Sequence, residues 1–274
     1  MSDVSAAAAR LSRSGRTALD VALDVSREAG EMLMARLHTD LEVSYKGRSD
    51  LVSDADKLVE ARVIERLRSE FPDDGFLAEE SAGVETSSGY TWIIDPLDGT
   101  RNYVLGIPFF CTVLAMAEGS EVALGLTFDP VRGEMFSAVR GGGAFLNDRP
   151  ISVSGKTEVE EALISYDLGS VSARAGTAIE MVLHLWPNIQ ATRIMGSAAL
   201  GLAYAACGRT DVYFHHHLSP WDLASALVLV PEAGGVVTDK YENPGSLCSE
   251  SVIAAGPELH AKFLRATDGL AWRQ

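Results

Sequence analysis

The stretch from Trp92 to Thr100, WIIDPLDGT, constrains the fold more than any other part of the sequence. Trp92 to Ile94 form an apolar run of β-forming side chains that stops at the carboxylate of Asp95. The Pro, Gly and Thr residues that follow favour turns. This pattern predicts a buried strand that ends at Asp95 and opens into an exposed loop.

Asp95 and Asp98 place two carboxylates in that loop. Like charges that are close together and partly desolvated repel each other unless a cation or a proton lies between them. Oxygen ligands favour a hard ion such as Mg²⁺, which usually shares its coordination sphere with water and phosphate. The amides of Gly99 and Thr100 could donate to an anion if a helix begins there. The alternative is ordinary Asp-Pro and Asp-Gly turn chemistry, so the metal interpretation needs further ligands from elsewhere.

Composition narrows the class of protein. With 274 residues, 47% of them hydrophobic, the chain can form one large domain or two closely packed lobes. A net charge of −15 argues against nucleic acid or an anionic membrane as a partner, because both need concentrated Lys and Arg. No apolar run is long enough to span a membrane and no signal-peptide pattern is present, so we expect a cytoplasmic protein.

The three cysteines are Cys111, Cys207 and Cys248. They lie far apart and show no CxxC spacing, so neither a zinc site nor a disulfide framework is indicated. We expect all three to be buried free thiols.

The N-terminal half reads as helix, then loop, then helix, followed by antiparallel strands. Apolar spacing predicts a helix over residues 17–37, and residues 43–56 read as a loop before a second helix. Ser53 and Asp56 have the spacing of a capping box, although a carboxylate at Asp56 could also orient a metal-bound water. Strands are expected at residues 76–78, 109–117, 122–128 and 135–139. Gly141-Gly142-Gly143 lacks the features of a phosphate loop and reads as a hairpin turn.

Two adjacent acids follow the short strand at residues 76–78. Because neighbouring residues on a strand point to opposite faces, at most one of Glu79 and Glu80 can face the site that Asp95 lines. We expect the other carboxylate to be solvated.

The C-terminal half alternates strands with helices, which is typical of an α/β lobe. The expected order is strand 163–166, helix 175–185, strand 193–195, helix 198–207, strand 212–215 and a helix from Pro220. The expected division is therefore an N-terminal α+β lobe over residues 1–153, with most metal ligands, and a C-terminal α/β lobe over residues 154–274. The two would pack as one unit.

Two short segments of this half could meet a substrate. Gly196-Ser197-Ala198 lies between a strand and a helix, so its amides and hydroxyl would face the end of the sheet, although a plain helix start explains it equally. His215-His216-His217 cannot converge on one metal ion from consecutive strand positions. One of these histidines contacting substrate is the favoured interpretation.

Ser219-Pro220-Trp221-Asp222 has the pattern of a strong helix start, with Asp222 at N3. The helix dipole alone could explain this carboxylate. However, Glu79, Asp95, Asp98 and Asp222 each stand at the end of a regular element, which is the arrangement that an oxygen-ligated two-metal site requires.

Taken together, these motifs resemble the inositol monophosphatase family, Mg²⁺-dependent phosphatases of the lithium-sensitive superfamily. The match begins near Lys46, and the joint order of its motifs is highly specific. The motifs are Lys46 with Asp50-Leu51-Val52-Ser53 and Asp56, then Ala78-Glu79-Glu80-Ser81, then Asp95-Pro96-Leu97-Asp98-Gly99-Thr100-Arg101-Asn102-Tyr103, and finally Trp221-Asp222-Leu223-Ala224 with Glu232-Ala233-Gly234-Gly235.

The resemblance implies a mixed α/β (α+β) fold, a layered αβαβα sandwich of the inositol monophosphatase and sugar phosphatase type, usually found as a homodimer. It implies two or three Mg²⁺ ions per site, held by Glu79, Asp95, the carbonyl of Leu97, Asp98 and Asp222. The implied catalytic residues are Glu79, Thr100 and Asp56, which would serve a metal-activated water. The implied substrate contacts are Gly99 and Thr100 at the phosphate, and Gly196, Ser197, Ala198 and His215 at the alcohol.

The expected activity is hydrolysis of a small phosphomonoester similar to inositol monophosphate. His215 replaces a Glu that binds sugar hydroxyls in inositol-specific members, so 3′-phosphoadenosine nucleotides, histidinol phosphate and fructose 1,6-bisphosphate stay open as substrates. A regulatory role through a protein partner is the alternative from another functional class, although four converging carboxylates argue against it. Pro231 predicts a kink or an early helix end near Val230.

Overall fold

The computed structural model describes residues 6–39, 42–45, 51–169 and 172–274. Lys46 and Asp50 of the first motif lie outside the described residues. The helices, numbered along the chain, are α1 (Ala6–Ala9), α2 (Ala18–Arg36), α3 (Asp54–Glu70), α4 (Thr100–Val104), α5 (Ser172–Leu185), α6 (Ala198–Ala206), α7 (Pro220–Leu223), α8 (Ala226–Glu232) and α9 (Pro257–Ala266).

Within the described residues, the strands form three sheets. Strands β1 (Val43–Tyr45) and β2 (Leu51–Ser53) form an antiparallel pair. A seven-stranded sheet has the order β3-β4-β5-β6-β7-β8-β9, and a five-stranded sheet has the order β11-β10-β12-β14-β13. Their bounds are β3 (Gly75–Ala78), β4 (Tyr90–Asp98), β5 (Cys111–Glu118), β6 (Glu121–Asp129), β7 (Glu134–Val139), β8 (Gly143–Leu146), β9 (Arg149–Pro150), β10 (Leu163–Tyr166), β11 (Ala191–Arg193), β12 (Val212–His215), β13 (Val236–Thr238) and β14 (Val252–Ala255).

Side-chain alternation stacks these elements into five layers. Trp92 and Ile94 on β4 pack under α2 and α3, whereas Ile93 points to the opposite face, against α6 and α8. On β12, Tyr213 shares the core of α6 and α8, and Phe214 packs with α9 on the outer side. The order of layers is therefore helix, sheet, helix, sheet, helix, and the expected αβαβα fold is confirmed.

Most of the expected elements are confirmed, with four local corrections. The strand expected at residues 193–195 lies instead at Ala191–Arg193. Residues 43–45 and 51–53, expected in a loop, instead form the antiparallel pair of strands β1 and β2. Strand β4 does not stop at Asp95 but continues to Asp98, so that Asp95 is buried and not in an exposed loop. The helix expected from Pro220 is split into α7 and α8, and α8 ends at Glu232, just beyond Pro231.

The three cysteines are free thiols, as expected, but they are not all buried. Cys111 is buried, Cys207 is partly buried and Cys248 is exposed. The prediction is wrong for Cys248, because this residue lies in a surface loop before β14. Across the described helices, none combines the length and the apolar character that a bilayer crossing needs.

Candidate active site

A register shift in β4 brings Asp95 and Asp98 together. Strands β4 and β5 pair regularly up to Asp95, and the pairing resumes only at Asp98, opposite Cys111. A bulge of this kind breaks the strict alternation of side chains and re-aims them. Asp95 is 1% exposed and Asp98 is 8% exposed. The Leu97 amide donates to Asp95 Oδ1 over 3.0 Å, which holds the bulge closed.

The start of α6 holds the carboxylate of Asp98. Ser197 Oγ donates to Asp98 Oδ2 over 2.5 Å, and the Ala199 amide donates to the same oxygen over 2.8 Å. The Ala198 amide donates to Oδ1 over 3.2 Å. These amides have no partner within the helix, so they can stabilise a carboxylate at the helix start. The segment Gly196-Ser197-Ala198 therefore contacts a predicted metal ligand.

Asp222 joins this pair from the C-terminal half. The predicted helix start is confirmed, because Ser219 and Asp222 form a capping box and Pro220 stands in the first turn of α7. The Ser219 amide donates to Asp222 Oδ2 over 2.7 Å. One ligand oxygen from each of Asp95, Asp98 and Asp222 lies within 4.8 Å of the others. Three carboxylates from distant parts of the chain thus converge.

The electrostatics of this cluster are unfavourable without a cation. Burial, together with the charges of Glu79 and Asp98, raises the pKa of Asp95 well above its ordinary value. Burial is also the main reason that the pKa of Asp222 rises to about 8. Burial raises the pKa of Asp98 as well, although its hydrogen bonds from α6 oppose the shift. The cluster would lose this repulsion on binding a divalent cation.

The donor set fits such a cation. Hard divalent ions are bound by carboxylate and carbonyl oxygens, and the cluster presents only these. Within the described ranges, no Lys or Arg forms an ion pair with Asp95, Asp98 or Asp222 that would neutralise them. The residues present therefore fit the predicted Mg²⁺.

Thr100 links this cluster to the start of α3. Its hydroxyl lies 3.1 Å from Asp56 Oδ1 and 3.0 Å from the Leu97 carbonyl, so its single proton serves one acceptor at a time. Asp56 also accepts from the amide and hydroxyl of Ser53, which confirms the predicted capping box. Asp56 is 1% exposed, and this burial raises its pKa. Both proposed roles of Asp56, cap and site carboxylate, are compatible with this geometry.

The cluster lies in a cleft of about 620 Å³ between the two sheets. Glu79 lines the cleft, whereas Glu80 lines a separate surface groove beside α3. The Glu80 amide donates to Glu60 Oε2 over 2.7 Å, which fixes the turn after β3. The other predicted residues that line the cleft are Asp98, Gly99, Thr100, Gly196, Ala198, His215 and Asp222.

Gly99 has a left-handed backbone with φ of +93°, and α4 begins directly after it. A Cβ at this position would lie 3.1 Å from the Phe109 carbonyl and 3.2 Å from that of Gly196. Both the torsion angle and the close approach of two backbones therefore require Gly here. Gly99 and Thr100, at the start of α4, both line the cleft.

Only one of the three consecutive histidines is both buried and in the cleft. His215 is 3% exposed, and its Nδ1 accepts from the His217 amide over 3.1 Å. This contact leaves Nε2 as the protonated nitrogen of the neutral ring. Burial lowers the pKa of His215 to about 3, so the ring is uncharged at neutral pH.

Asn102 and Asp167 hold the cleft together, and the sequence reasoning gave neither of them a role. Asn102 Nδ2 lies 2.7 Å from the carbonyls of both Phe109 and Met195. Asp167 Oδ1 accepts from the amides of Met195 and Gly196. Asp167 directly follows the apolar strand β10, and the same signal that identified Asp95 could have identified it. The sequence showed Asn102 only as part of the motif from Asp95 to Tyr103, which gives it no role.

We expect Asn102→Ala to lower kcat/KM about tenfold to a hundredfold, because two buried carbonyls lose their donor and the Met195-Gly196 segment can move in the cleft. Steady-state kinetics on any accepted substrate measures this. Asn188→Ala is the matched control, since Asn188 is exposed and distant from the cleft. Equal kinetics for the Asn102 variant and this control would contradict the positioning role.

Comparison with known proteins points to one family. Residues 16–270 match the model of the inositol monophosphatase family. An inositol monophosphatase of Dictyostelium discoideum is 37% identical over 254 residues, which cover 89% of this chain and 93% of that protein. The Nus factor SuhB of Xylella fastidiosa is 37% identical over 227 residues, which cover 82% of each chain. The crystal structure of the extragenic suppressor protein suhB from Bartonella henselae superimposes with a TM-score of 0.88 at 34% identity, covering 92% of this chain and 98% of that one.

Proposed function

Because this chain belongs to the inositol monophosphatase family of phosphatases, we propose that it is an Mg²⁺-dependent hydrolase of small phosphomonoesters, with an inositol monophosphate-like compound as the first candidate substrate. One observation carries the proposal. Asp95, Asp98 and Asp222 bring carboxylate oxygens within 4.8 Å of one another, in a cleft large enough for a phosphorylated small molecule.

Glu79, Asp95, the Leu97 carbonyl, Asp98 and Asp222 would hold two or three Mg²⁺ ions. When bound, the ions would neutralise charge on the phosphoryl group and lower the pKa of a water. The protein fixes the ligands beforehand, because Asp98 is anchored by α6 and Asp222 by its own cap. Such anchoring removes the reorganisation that binding would otherwise require.

The start of α4 would receive the phosphate. Gly99 and Thr100 line the cleft beside Asp98, and their amides would bind the anionic oxygens as backbone donors at such a turn can. Glu79 and the Thr100 hydroxyl would orient the attacking water. The Thr100 hydroxyl can donate a hydrogen bond to Asp56 Oδ1 over 3.1 Å. Asp56 would thereby position this hydroxyl, and its carboxylate could take up a proton from the water.

The alcohol portion would lie against the C-terminal half. Gly196, Ala198 and His215 line that side of the cleft. His215 presents a neutral Nε2–H donor, which suits a hydroxyl oxygen of the substrate better than a charged group. The Ser197 hydroxyl already donates to Asp98, so its contribution to substrate binding would be indirect.

A phosphate-release assay tests the proposal. The substrates would be inositol 1-phosphate, glycerol 2-phosphate, histidinol phosphate, fructose 1,6-bisphosphate and adenosine 3′,5′-bisphosphate, each with Mg²⁺ and after chelation. We expect release from at least one substrate, and we expect chelation to abolish it and added Mg²⁺ to restore it. Absence of release from all substrates, or turnover unaffected by chelation, would reject the proposal.

A regulatory role is the second candidate, because one of the relatives carries the name of a Nus factor. This role would require a surface that binds a partner protein, and it would not depend on the metal cluster of Asp95, Asp98 and Asp222. A null strain complemented by the Asp95→Asn variant separates the two functions. Full complementation without phosphatase activity would favour the regulatory role.

Three further expectations stay predictions: the homodimer, the cytoplasmic location and the division at residues 153 and 154. The seven-stranded sheet falls within residues 75–150 and the five-stranded sheet within residues 163–255. The core around α6 and α8 contacts both sheets. Limited proteolysis and size-exclusion chromatography would test the division and the oligomeric state.

A further inference from the structure

A small internal cavity lies behind the bulge of β4, on the side of the seven-stranded sheet that packs against α2 and α3. Its volume is about 10 Å³, and its walls are apolar side chains of α2, α3, β4 and β5 together with Ser26, Asp95, Pro96 and Thr112. All of these lining residues are buried. A volume of roughly 10–15 Å³ accommodates one water molecule. The cavity therefore has room for a single small molecule.

Two hydroxyl groups in the cavity wall are unpaired. Ser26 is 2% exposed and Thr112 is 4% exposed, and neither Ser26 Oγ nor Thr112 Oγ1 has a hydrogen-bond partner among the described residues. A serine inside a helix often bonds back to a carbonyl of the preceding turn, but Ser26 in α2 does not. Burial of a hydroxyl without a partner is unfavourable. Both groups therefore favour a ligand that can hydrogen-bond to them.

The bulge explains why the hydroxyl of Thr112 has no partner on β4. In the described pairing of β4 with β5, Thr112 has no paired residue and lies opposite the bulged residues Pro96 and Leu97. Pro96 has no amide hydrogen. The Leu97 amide already donates to Asp95 Oδ1 over 3.0 Å. The bulged segment therefore offers no backbone donor to the Thr112 hydroxyl.

The lining of the cavity favours water over an empty space. Cavities that stay dry in proteins are lined by apolar groups, whereas buried waters pair with polar groups that would otherwise be unsatisfied. A water molecule needs two to four polar partners, and the two hydroxyls supply two. The volume of about 10 Å³ excludes a larger ligand. One water molecule is therefore the ligand that fits both the size and the chemistry.

We propose that this cavity binds one structural water, which bridges Ser26 Oγ on α2 to Thr112 Oγ1 on β5. The water would tie the first long helix to the sheet directly behind the bulge that carries Asp95 and Asp98. In the described part of the chain, no residue lines both this cavity and the cleft. The water site is thus separate from the substrate site and does not depend on the proposed function.

A double-mutant cycle of Ser26→Ala and Thr112→Val tests the bridge by thermal unfolding in chelator. Each single change removes one partner of the water and leaves the other hydroxyl poorly satisfied, so we expect Tm to fall by about 2–5 °C. The double variant removes both hydroxyls together with the need for the water. Its Tm should therefore fall about as far as that of one single variant, and not by the sum of the two.

A dry cavity predicts the opposite result. Each change would then remove an unpaired buried hydroxyl, so Tm would rise or stay constant and the two effects would add. The matched control cycle combines Ser26→Ala with Thr127→Val. Thr127 is also fully buried, but it bonds directly to Ser225 Oγ over 2.7 Å, so its effect and that of Ser26→Ala should add. Additive effects of the Ser26 and Thr112 changes, or equal coupling in both cycles, would overturn the inference.

A high-resolution crystal structure of the wild-type protein tests the site directly and does not depend on the folding of any variant. We expect one water oxygen within about 2.6–3.2 Å of both Ser26 Oγ and Thr112 Oγ1. Thr112→Ser keeps the hydroxyl and should keep this water, whereas the double variant should lose it. A wild-type structure with no water in the cavity, or with a water that contacts only one hydroxyl, would overturn the inference.

Discussion

Replacement of Asp95 by Asn should lower kcat/KM at least about a thousandfold while leaving the metal-free protein as stable as the wild type or more stable. The activity falls because the variant loses one charged ligand of the metal cluster. The fold is retained because Asn has nearly the same volume and its Oδ1 can still accept from the Leu97 amide, as Asp95 does over 3.0 Å.

The stability result follows from the raised pKa of Asp95. In the metal-free protein its carboxylate is buried beside Glu79, Asp98 and Asp222, which opposes its ionisation. A neutral amide removes that repulsion. The measurement is thermal unfolding in the presence of chelator, together with steady-state kinetics in Mg²⁺.

Asp129→Asn is the matched control for this experiment. Asp129 is also buried at the end of a strand, but Arg132 pairs with it at 2.8 Å. We expect this variant to lose stability and to keep its metal dependence, the opposite of the Asp95 variant. Near-normal activity of the Asp95 variant, or a collapse of its fold in chelator, would contradict the account.

The second large effect is a pH dependence that metal removes. The pKa of Asp222 is about 8 in the folded protein, against an ordinary value of 3.8. Between these two values the folded state binds more protons than the unfolded state, so the free energy of unfolding of the metal-free protein falls as the pH rises from about 4 to about 8. Below the ordinary pKa of Asp222, both states are protonated, so the stabilisation by this group is fully present and no longer changes with pH.

Mg²⁺ must displace the same proton. Its apparent affinity should therefore rise about tenfold per pH unit until the pH reaches the pKa of Asp222. Thermal unfolding with and without Mg²⁺ at several pH values measures both effects, and the stabilisation by Mg²⁺ should grow toward alkaline pH. The same series on Asp222→Asn is the control, because this variant has no carboxyl group at position 222 to titrate. A Mg²⁺ stabilisation in the wild type that is independent of pH would contradict the assignment of the raised pKa.

The sequence predicted the site residues better than it predicted how they are held. Asp95, Asp98 and Asp222 could be selected because each lies in a motif and near a predicted boundary of a regular element. The bulge that turns Asp95 and Asp98 to one side could not be predicted, because it depends on the register of β4 against β5. The run of apolar residues correctly indicated a strand. It placed the end of that strand at Asp95, although β4 continues to Asp98.

Contacts between residues distant in the sequence could not be predicted either, because they depend on the tertiary structure. Asp98 is anchored by the start of α6, about a hundred residues later in the chain, and no local pattern encodes that pairing. Asn102 likewise bonds to Met195 across the cleft. The pairing of β1 with β2 was missed because each strand is only three residues long, which is too short for alternation of side chains to identify a strand.

The sequence also could not predict which of the consecutive histidines, His215 to His217, are buried. His215 ends β12 and His216 lies beyond the strand, so regular alternation no longer separates their rings. Their rings stack with centroids 4.9 Å apart, and of the two only His215 lines the cleft. The favoured prediction of one histidine in contact with substrate is thus kept as a proposal for His215.

Direct titration of the metal-free protein with Mg²⁺ tests the central claim, that the aspartates from both halves share divalent cations. Calorimetry in buffers with different ionisation enthalpies would report both binding and proton release. The account predicts that the wild type binds Mg²⁺ with release of a proton near neutral pH, and that Asp95→Asn binds it far more weakly. Equal binding by the two proteins, with no proton released by either, would contradict it.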